Sequence, residues 1–128
     1  MSETAAKSKV ASYRDLQVWQ EGMALTKVIY GITKPFPPEE RFGLVSQTRR
    51  AAISIPSNIA EGQARKSTAE FVYFISNAEG SLAELDTQLT LCSDLGFCSA
   101  ADMEESLVLI YELKKMLNAL RRSLIRAD

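Results

Sequence analysis

Apolar residues recur every three or four positions along most of this chain, and this spacing limits the folds open to it. Such rows lie on one face of an α-helix, and no segment alternates in the way that a half-buried strand would. The rows fall into four segments, at about 14–33, 38–64, 67–94 and 99–126. The sequence therefore predicts an all-α fold built from four amphipathic helices.

Short runs of helix-breaking and helix-capping residues separate the four segments. Pro35 and Pro37 end the first helix, because proline cannot continue it. Ser67 and Glu70 have the spacing of a capping box at the start of the third helix. Gly96 suits a left-handed residue just after that helix ends. Since the connections are short, neighbouring helices should be antiparallel, so we predict an up-down-up-down four-helix bundle.

Two adjacent apolar rows occur on the first helix. We expect the first row to face the core and the second to be available as a surface between subunits. The first row is Leu16, Trp19, Met23, Thr26 and Tyr30, and the second is Val18, Gly22, Leu25, Ile29 and Ile32. For the fourth helix we expect the core row to be Met103, Leu107, Ile110, Leu113, Leu117, Leu120 and Leu124.

A chain of 128 residues forms one domain of ordinary size. We expect the small, polar residues 1–12 to be a disordered tail and residues 13–128 to form the bundle. Cys92 and Cys98 are too few for a disulfide framework, which favours a reduced chain. The N-terminus lacks the apolar stretch of a signal peptide, and no apolar run has the length of a membrane span. These features predict a cytoplasmic protein that does not enter membranes.

The sequence contains no histidine, which removes the commonest general base and the usual transition-metal ligand. Neither a phosphate-binding loop nor a dinucleotide-binding glycine motif is present. We therefore predict a protein that is not an enzyme and has no catalytic residues, metal or cofactor. The enzymatic alternative is a divalent metal held between helices by carboxylates, for which the candidates are Glu61, Glu79, Glu84 and Asp86.

Pro56 lies in the middle of the second helix, where it removes one amide donor and crowds the carbonyl of Ala52. We therefore predict a kink in that helix. A row of polar residues surrounds it: Gln47, Arg50, Ser54, Asn58, Glu61 and Arg65. Three interpretations stay open. The row is a structural set that locks the kink, or a ligand or nucleic-acid site lined by Arg49, Arg50, Asn58 and Arg65, or a surface stripe without a role.

Several motifs of this chain resemble a known family. They are DLQVWQ (15–20), the FP of KPFPPEE (34–40), GLVSQTRRAAISIPSNIAEG (43–62), RKSTAEF (65–71), GSLAELDTQL (80–89) and DLGF (94–97). Together they resemble the four-helix bundle proteins encoded by intervening sequences in bacterial 23S rRNA genes. That family is related to the accessory variability proteins of diversity-generating retroelements. The resemblance covers roughly residues 13–125, and SIPSNIAEG is its most specific part.

The resemblance implies a bundle that assembles into a homopentameric ring. It also implies a nucleic-acid role, which is established only in the retroelement branch, where the protein works with a reverse transcriptase. The position before Gly80 and Ser81 is often basic in the family, whereas this chain has Glu79. This difference puts in doubt any basic surface contributed by the third helix.

Charge is distributed unevenly, although the formal net charge is only −1. In a bundle of the predicted topology, basic residues would collect at one end and acidic residues at the other. This pattern fits cations that complement helix dipoles, and it also fits a surface for nucleic-acid phosphates. Candidates for contact with RNA, DNA or a protein partner are Arg49, Arg50, Arg65, Lys66, Arg121, Arg122 and Arg126. We predict a homo-oligomeric scaffold or adaptor that binds nucleic acid. The alternative is a protein-interaction or regulatory module without such affinity.

Overall fold

The computed structural model describes residues 12–127 and contains four α-helices. These are α1 (Gln17–Thr33), α2 (Leu44–Ala64), α3 (Thr68–Asp94) and α4 (Ala100–Ala127). Two short 3₁₀ turns, Tyr13–Asp15 and Pro38–Glu40, precede α1 and α2. No strand occurs within this described range, and the all-α prediction is confirmed. Most of the predicted tail, residues 1–11, and Asp128 lie outside the described residues, whereas Ser12 caps the first 3₁₀ turn.

Each helix packs against two others: α1 and α3 both contact α2 and α4. The contacts between α1 and α2 run in opposite order along the two helices. Thr26 reaches Ala52, whereas Thr33, further along α1, reaches Arg49, which is earlier on α2. These two helices are therefore antiparallel.

Contacts between α2 and α3 and between α3 and α4 follow the same order. On α2 and α3, Ser54 meets Ser81, whereas the earlier Gln47 meets the later Gln88. Helices α3 and α4 are joined by only five residues, 95–99, yet Arg121, far along α4, reaches back to Ser76 in the first half of α3. The end of α4 therefore lies beside the first half of α3.

The main core lies between the four helices and is built from aliphatic side chains. Its fully buried large members are Leu25, Ile29, Ile55, Ile59, Ile75, Leu82, Leu85, Leu89, Leu113 and Leu117. A second, smaller cluster closes the end that holds the α1–α2 and α3–α4 connections, where Phe36, Val45 and Cys92 are buried with Phe97 and Cys98 beside them.

The expected orientation of α1 is wrong. The buried residues are Val18, Gly22, Leu25, Ile29 and Thr33, which is essentially the second row. The expected core residue Tyr30 is 41% exposed. The reason lies at Gly22, where an added Cβ would sit 3.4 Å from atoms of Pro56. Because Gly22 has no side chain, its face of α1 is the one that can approach α2 most closely. The second row therefore faces the core and is not a surface between subunits.

On α4, the expectation that Leu107 belongs to the core is also wrong, because its side chain is 40% exposed. Ser106 is buried in its place and donates its hydroxyl proton to the Met103 carbonyl, 2.7 Å away. The hydrogen bond lets a small polar residue occupy a core position at low cost. The remaining expected members of the α4 row are buried or half-buried.

The capping signals locate the later helices well. The Ser67 hydroxyl accepts a hydrogen bond from the Glu70 amide, and α3 begins at Thr68. Gly96 has a φ of +82°. The amides of Gly96 and Phe97 donate to the carbonyls of Ser93 and Cys92, which is the Schellman pattern of a helix end. At the start of α4, Ser99 and Asp102 exchange hydrogen bonds.

Helix α2 is continuous from Leu44 to Ala64 and includes Pro56, so the proline does not break it. The kink at this position stays a prediction. The start of α2 was expected near Pro38, but that residue opens the separate 3₁₀ turn and α2 begins six residues later. A proline with two acids suits a first turn in either kind of helix, which explains the error.

Candidate nucleic-acid interface and polar groove

The carbonyl that Pro56 leaves without a helical donor is that of Ala52, and α1 supplies the missing partner. The Thr26 hydroxyl lies 3.2 Å from the Ala52 oxygen and 2.8 Å from the Gly22 oxygen, so its proton lies between the two acceptors. Gly22 at the same level allows the proline ring to approach α1. The unusual pair of Pro56 and Gly22 thus forms a close helix–helix contact.

Asn58 and Glu61 do not act together at the proline. The Asn58 amide nitrogen donates to the Ser54 carbonyl at 2.7 Å and lies 2.9 Å from the Ser54 hydroxyl. That hydroxyl also meets Ser81 of α3 at 2.7 Å. Asn58 and Ser54 therefore join α2 to α3. Glu61 is exposed and forms an ion pair with Arg65 instead.

Arg49 is engaged in holding α1 against α2. Its Nε donates to Thr33 Oγ1 at 2.8 Å, and its guanidinium carbon lies 4.3 Å from the centroid of the Tyr30 ring. Thr33 is buried, and its hydroxyl donates a hydrogen bond to the Ile29 carbonyl. The half-buried Arg49 is therefore a structural residue and is poorly placed to bind a phosphate.

Arg50, the next residue, faces a polar groove between α2 and α3. The groove has a volume of about 430 Å³ and is lined by Gln47, Arg50, Ala51, Ser54, Glu84 and Gln88. Gln88 is only 7% exposed and donates to Gln47 at 3.5 Å, but its Oε1 has no hydrogen-bond partner. Gln47, Arg50 and Ser54 belong to the polar row that is visible in the sequence. Gln88 could not be predicted, because a glutamine in an apolar row gives no signal of burial.

At the end of the bundle where α2 meets α3, Arg65 has several partners. It forms an ion pair with Glu61 at 2.6 Å and a longer one with Glu70 at 3.9 Å. Its guanidinium carbon also lies 4.9 Å from the centroid of the Phe74 ring. Arg65 is exposed, but its charge is already balanced by neighbouring carboxylates.

Arg121 of α4 is paired with Glu79 of α3 and donates to the Ser76 hydroxyl at 2.9 Å. Both charged side chains are about one quarter exposed, at 25% and 30%. Glu79 thus takes one cation of α4 out of the basic surface.

Lys66, Arg122 and Arg126 remain, and all three are exposed. Within residues 12–127, none of them has a carboxylate partner; Arg126 only donates to the Arg122 carbonyl at 3.4 Å. Lys66 lies in the α2–α3 connection, and the other two lie beyond Arg121, which already reaches the first half of α3. We refer to Lys66, Arg122 and Arg126 as the free cations of the basic end.

The carboxylates considered for metal binding do not come together. Glu61 and Glu79 are each paired with an arginine, and no group of metal-ligating side chains occurs within the described part of the chain. Cys92 and Cys98 are free thiols, and burial raises the pKa of Cys92 to about 11, which disfavours the reactive thiolate. None of the described helices is long and apolar enough to cross a bilayer.

Fold and site together define a small helical-bundle protein whose notable polar features are a basic end and one interhelical groove. The sequence matches the family described as 23S rRNA-intervening sequence protein over residues 14–119. Since this match covers most of the chain and the fold has four helices, the chain belongs to that family. No curated protein matches the sequence.

Proposed function

We propose that this protein is a non-enzymatic scaffold of the cytoplasm that assembles with copies of itself and binds nucleic acid through its basic end. The observation that carries the proposal is the set of free cations, Lys66, Arg122 and Arg126. They share one end of the bundle and are exposed. Lys and Arg side chains without internal partners can replace the counterions of a phosphate backbone.

Only cations that lack a partner within the subunit belong to the proposed phosphate-binding surface. Arg49, Arg65 and Arg121 are engaged with Tyr30, Glu61 and Glu79 respectively, so a phosphate would have to displace those partners. Three such cations in one subunit make a weak site. The resemblance to the intervening-sequence proteins favours several copies in a ring. Repetition of the basic end around such a ring would raise the effective concentration of phosphate contacts.

Self-assembly has its own support on the outer surface of α4. Leu107, Val108 and Tyr111 are 40%, 54% and 64% exposed and lie within about one turn of each other. We name these three residues the α4 apolar patch. Contiguous exposed apolar side chains of this kind mark interaction surfaces more often than isolated ones do, and a second copy of the chain is the partner that we propose for it. The ring of five implied by the resemblance is part of the same proposal.

Fluorescence anisotropy with a labelled RNA tests the nucleic-acid part, with ionic strength varied from about 50 to 200 mM. Affinity should fall steeply with salt. The double variant Arg122→Glu/Arg126→Glu should bind weakly, and its salt slope should be lower by about two, one for each lost phosphate contact.

The matched control is Lys34→Glu/Arg41→Glu, which changes the net charge equally at the opposite end, beside the α1–α2 connection. Equal loss of affinity in both double variants would show a nonspecific charge effect and contradict the proposed site. If the unmodified protein does not bind RNA or DNA even at the lowest salt, the alternative function, a protein-interaction or regulatory module, replaces this one.

A further inference from the structure

An exposed aromatic side chain lies next to the basic end. Tyr73, in the second turn of α3, is 61% exposed. Its ring lies edge-on to Phe74, with centroids 5.2 Å apart and an interplanar angle of 83°. Phe74 is half-buried. Tyr73 therefore keeps most of its surface in solvent although it rests against an anchored neighbour.

A groove of about 380 Å³ opens beside this ring and is lined by Arg65, Ala69, Glu70, Tyr73 and Phe74. The groove is shallow and open, which suits contact with one face of a planar ring and not enclosure of a whole ligand. Ala69 lies one turn before Tyr73, and its small side chain leaves room above the first turn of α3. Arg65 closes the groove on the side of the α2–α3 connection, where the adjacent residue is the free cation Lys66.

The charges of the groove select what can occupy it. Glu70 lies in its wall, and Arg65 is already paired with Glu61 and, at longer range, with Glu70. A phosphate placed here would meet the Glu70 carboxylate and a cation that is already neutralised. A planar, uncharged ring would instead stack on the exposed ring of Tyr73, beside the guanidinium of Arg65, which already lies over Phe74.

We propose that Tyr73, with Phe74 and Arg65, binds one unstacked base of a single-stranded nucleic acid. The adjoining phosphates lie on the free cations of the basic end. This inference rests on the proposed function and names its substrate class, because bases inside a duplex are already stacked and cannot reach the groove. Tyr73 and the basic end thus combine the two elements of single-strand binding, an aromatic platform and a positively charged track.

The test compares two labelled ligands of equal length, a single-stranded RNA and its duplex, by fluorescence anisotropy. Tyr73→Leu keeps an apolar side chain but removes the aromatic face. It should lower affinity for the single strand about 5- to 150-fold. Affinity for the duplex and the salt slope should not change, since the cations remain. Tyr73→Phe keeps the aromatic face and should bind like the unmodified protein.

The control is Phe42→Leu, because Phe42 is also an exposed aromatic residue, at 87%, but lies in the α1–α2 connection at the opposite end of the bundle. It should leave single-strand affinity unchanged when measured on protein of the same oligomeric state. If Tyr73→Leu binds the single strand as well as the unmodified protein does, stacking is overturned while salt-dependent binding still supports the proposed function. If the unmodified protein binds neither ligand, both proposals fail.

Discussion

At the scale of single residues, the stretch 49–65 shows how a helix tolerates two residues that normally weaken it. Pro56 takes away a donor, and the Thr26 hydroxyl of α1 lies within hydrogen-bonding distance of the orphaned Ala52 carbonyl. The cost of the proline is thereby reduced by a neighbouring helix. Gly62, near the end of α2, lies where α3 approaches so closely that no side chain fits. Both residues serve packing between helices.

Gly62→Ala should destabilise the protein. An added Cβ would sit 2.8 Å from Phe74 Cβ and 2.9 Å from Phe71 Cδ1, and the first of these atoms is fixed to the α3 backbone. Overpacking of this kind costs about 1–3 kcal/mol, which urea denaturation followed by circular dichroism can measure. Gly80→Ala is the matched control, since no atom lies within 4 Å of its added Cβ. It should stabilise α3 by about 0.5–1 kcal/mol. Equal stability of Gly62→Ala and the unmodified protein would contradict the close contact.

At the scale of helices, the sequence predicted ends better than faces. Ser67 and Gly96 were identified from capping chemistry that involves only residues close in sequence, and the structure places them at helix ends. The predicted core face of α1 was wrong, because the face that a helix buries depends on its contact with another helix. Gly22 is on the buried side only because Pro56 packs against it. Local hydrogen bonding can be read from a single segment, but a tertiary contact between two helices cannot.

The end of α3 should make the protein sensitive to alkaline pH. Burial raises the pKa of the Cys92 thiol from 9.0 to about 11, with smaller contributions from Cys98 and Glu40. As pH rises from 9 to 11 the unfolded chain loses this proton while the native state keeps it, so the free energy of unfolding falls. The loss is about 2 kcal/mol at pH 11. Below pH 9 the thiol is protonated in both states and contributes no pH dependence.

Urea denaturation at several pH values from 7 to about 11 measures this effect. Tyrosine and lysine side chains also titrate in this range, so the informative quantity is the difference between the unmodified protein and Cys92→Ala. The variant loses some stability at pH 7 because it leaves a small cavity, but its stability should fall less steeply above pH 9. Parallel pH profiles for the two proteins would show that Cys92 does not control the alkaline loss.

At the scale of the whole molecule, the sequence predicts at which end the basic residues lie. It does not predict which of them stay unpaired and available to a ligand. Counting residues along the chain indicates a basic end, because charge and helix order are both visible in the sequence. Which cations are free depends on side-chain pairs across helices, such as Arg121 with Glu79 and Arg49 with Thr33. The same limit applies to the groove beside Tyr73, which needs the positions of Arg65 and Phe74 together.

Assembly should depend on the α4 apolar patch. If a second copy covers this patch, Leu107→Ser/Val108→Glu should reduce the mass measured by sedimentation equilibrium toward that of the 14.2 kDa monomer. The charged side chain would be desolvated at such a contact without a partner, whereas both positions are solvent-exposed in the single chain, so the helical content should be retained.

Leu91→Ser/Leu95→Glu is the matched control for the assembly prediction. These residues are 47% and 61% exposed and lie at the C-terminal end of α3, outside the α4 apolar patch. The control should keep the mass of the unmodified protein. Dissociation by the α4 variant alone assigns the contact to α4, and dissociation by the control alone moves the contact to α3. A monomeric unmodified protein at every concentration tested would refute assembly. The basic end would then offer nucleic acid only the cations of a single chain, and the salt slope measured with RNA should be correspondingly small.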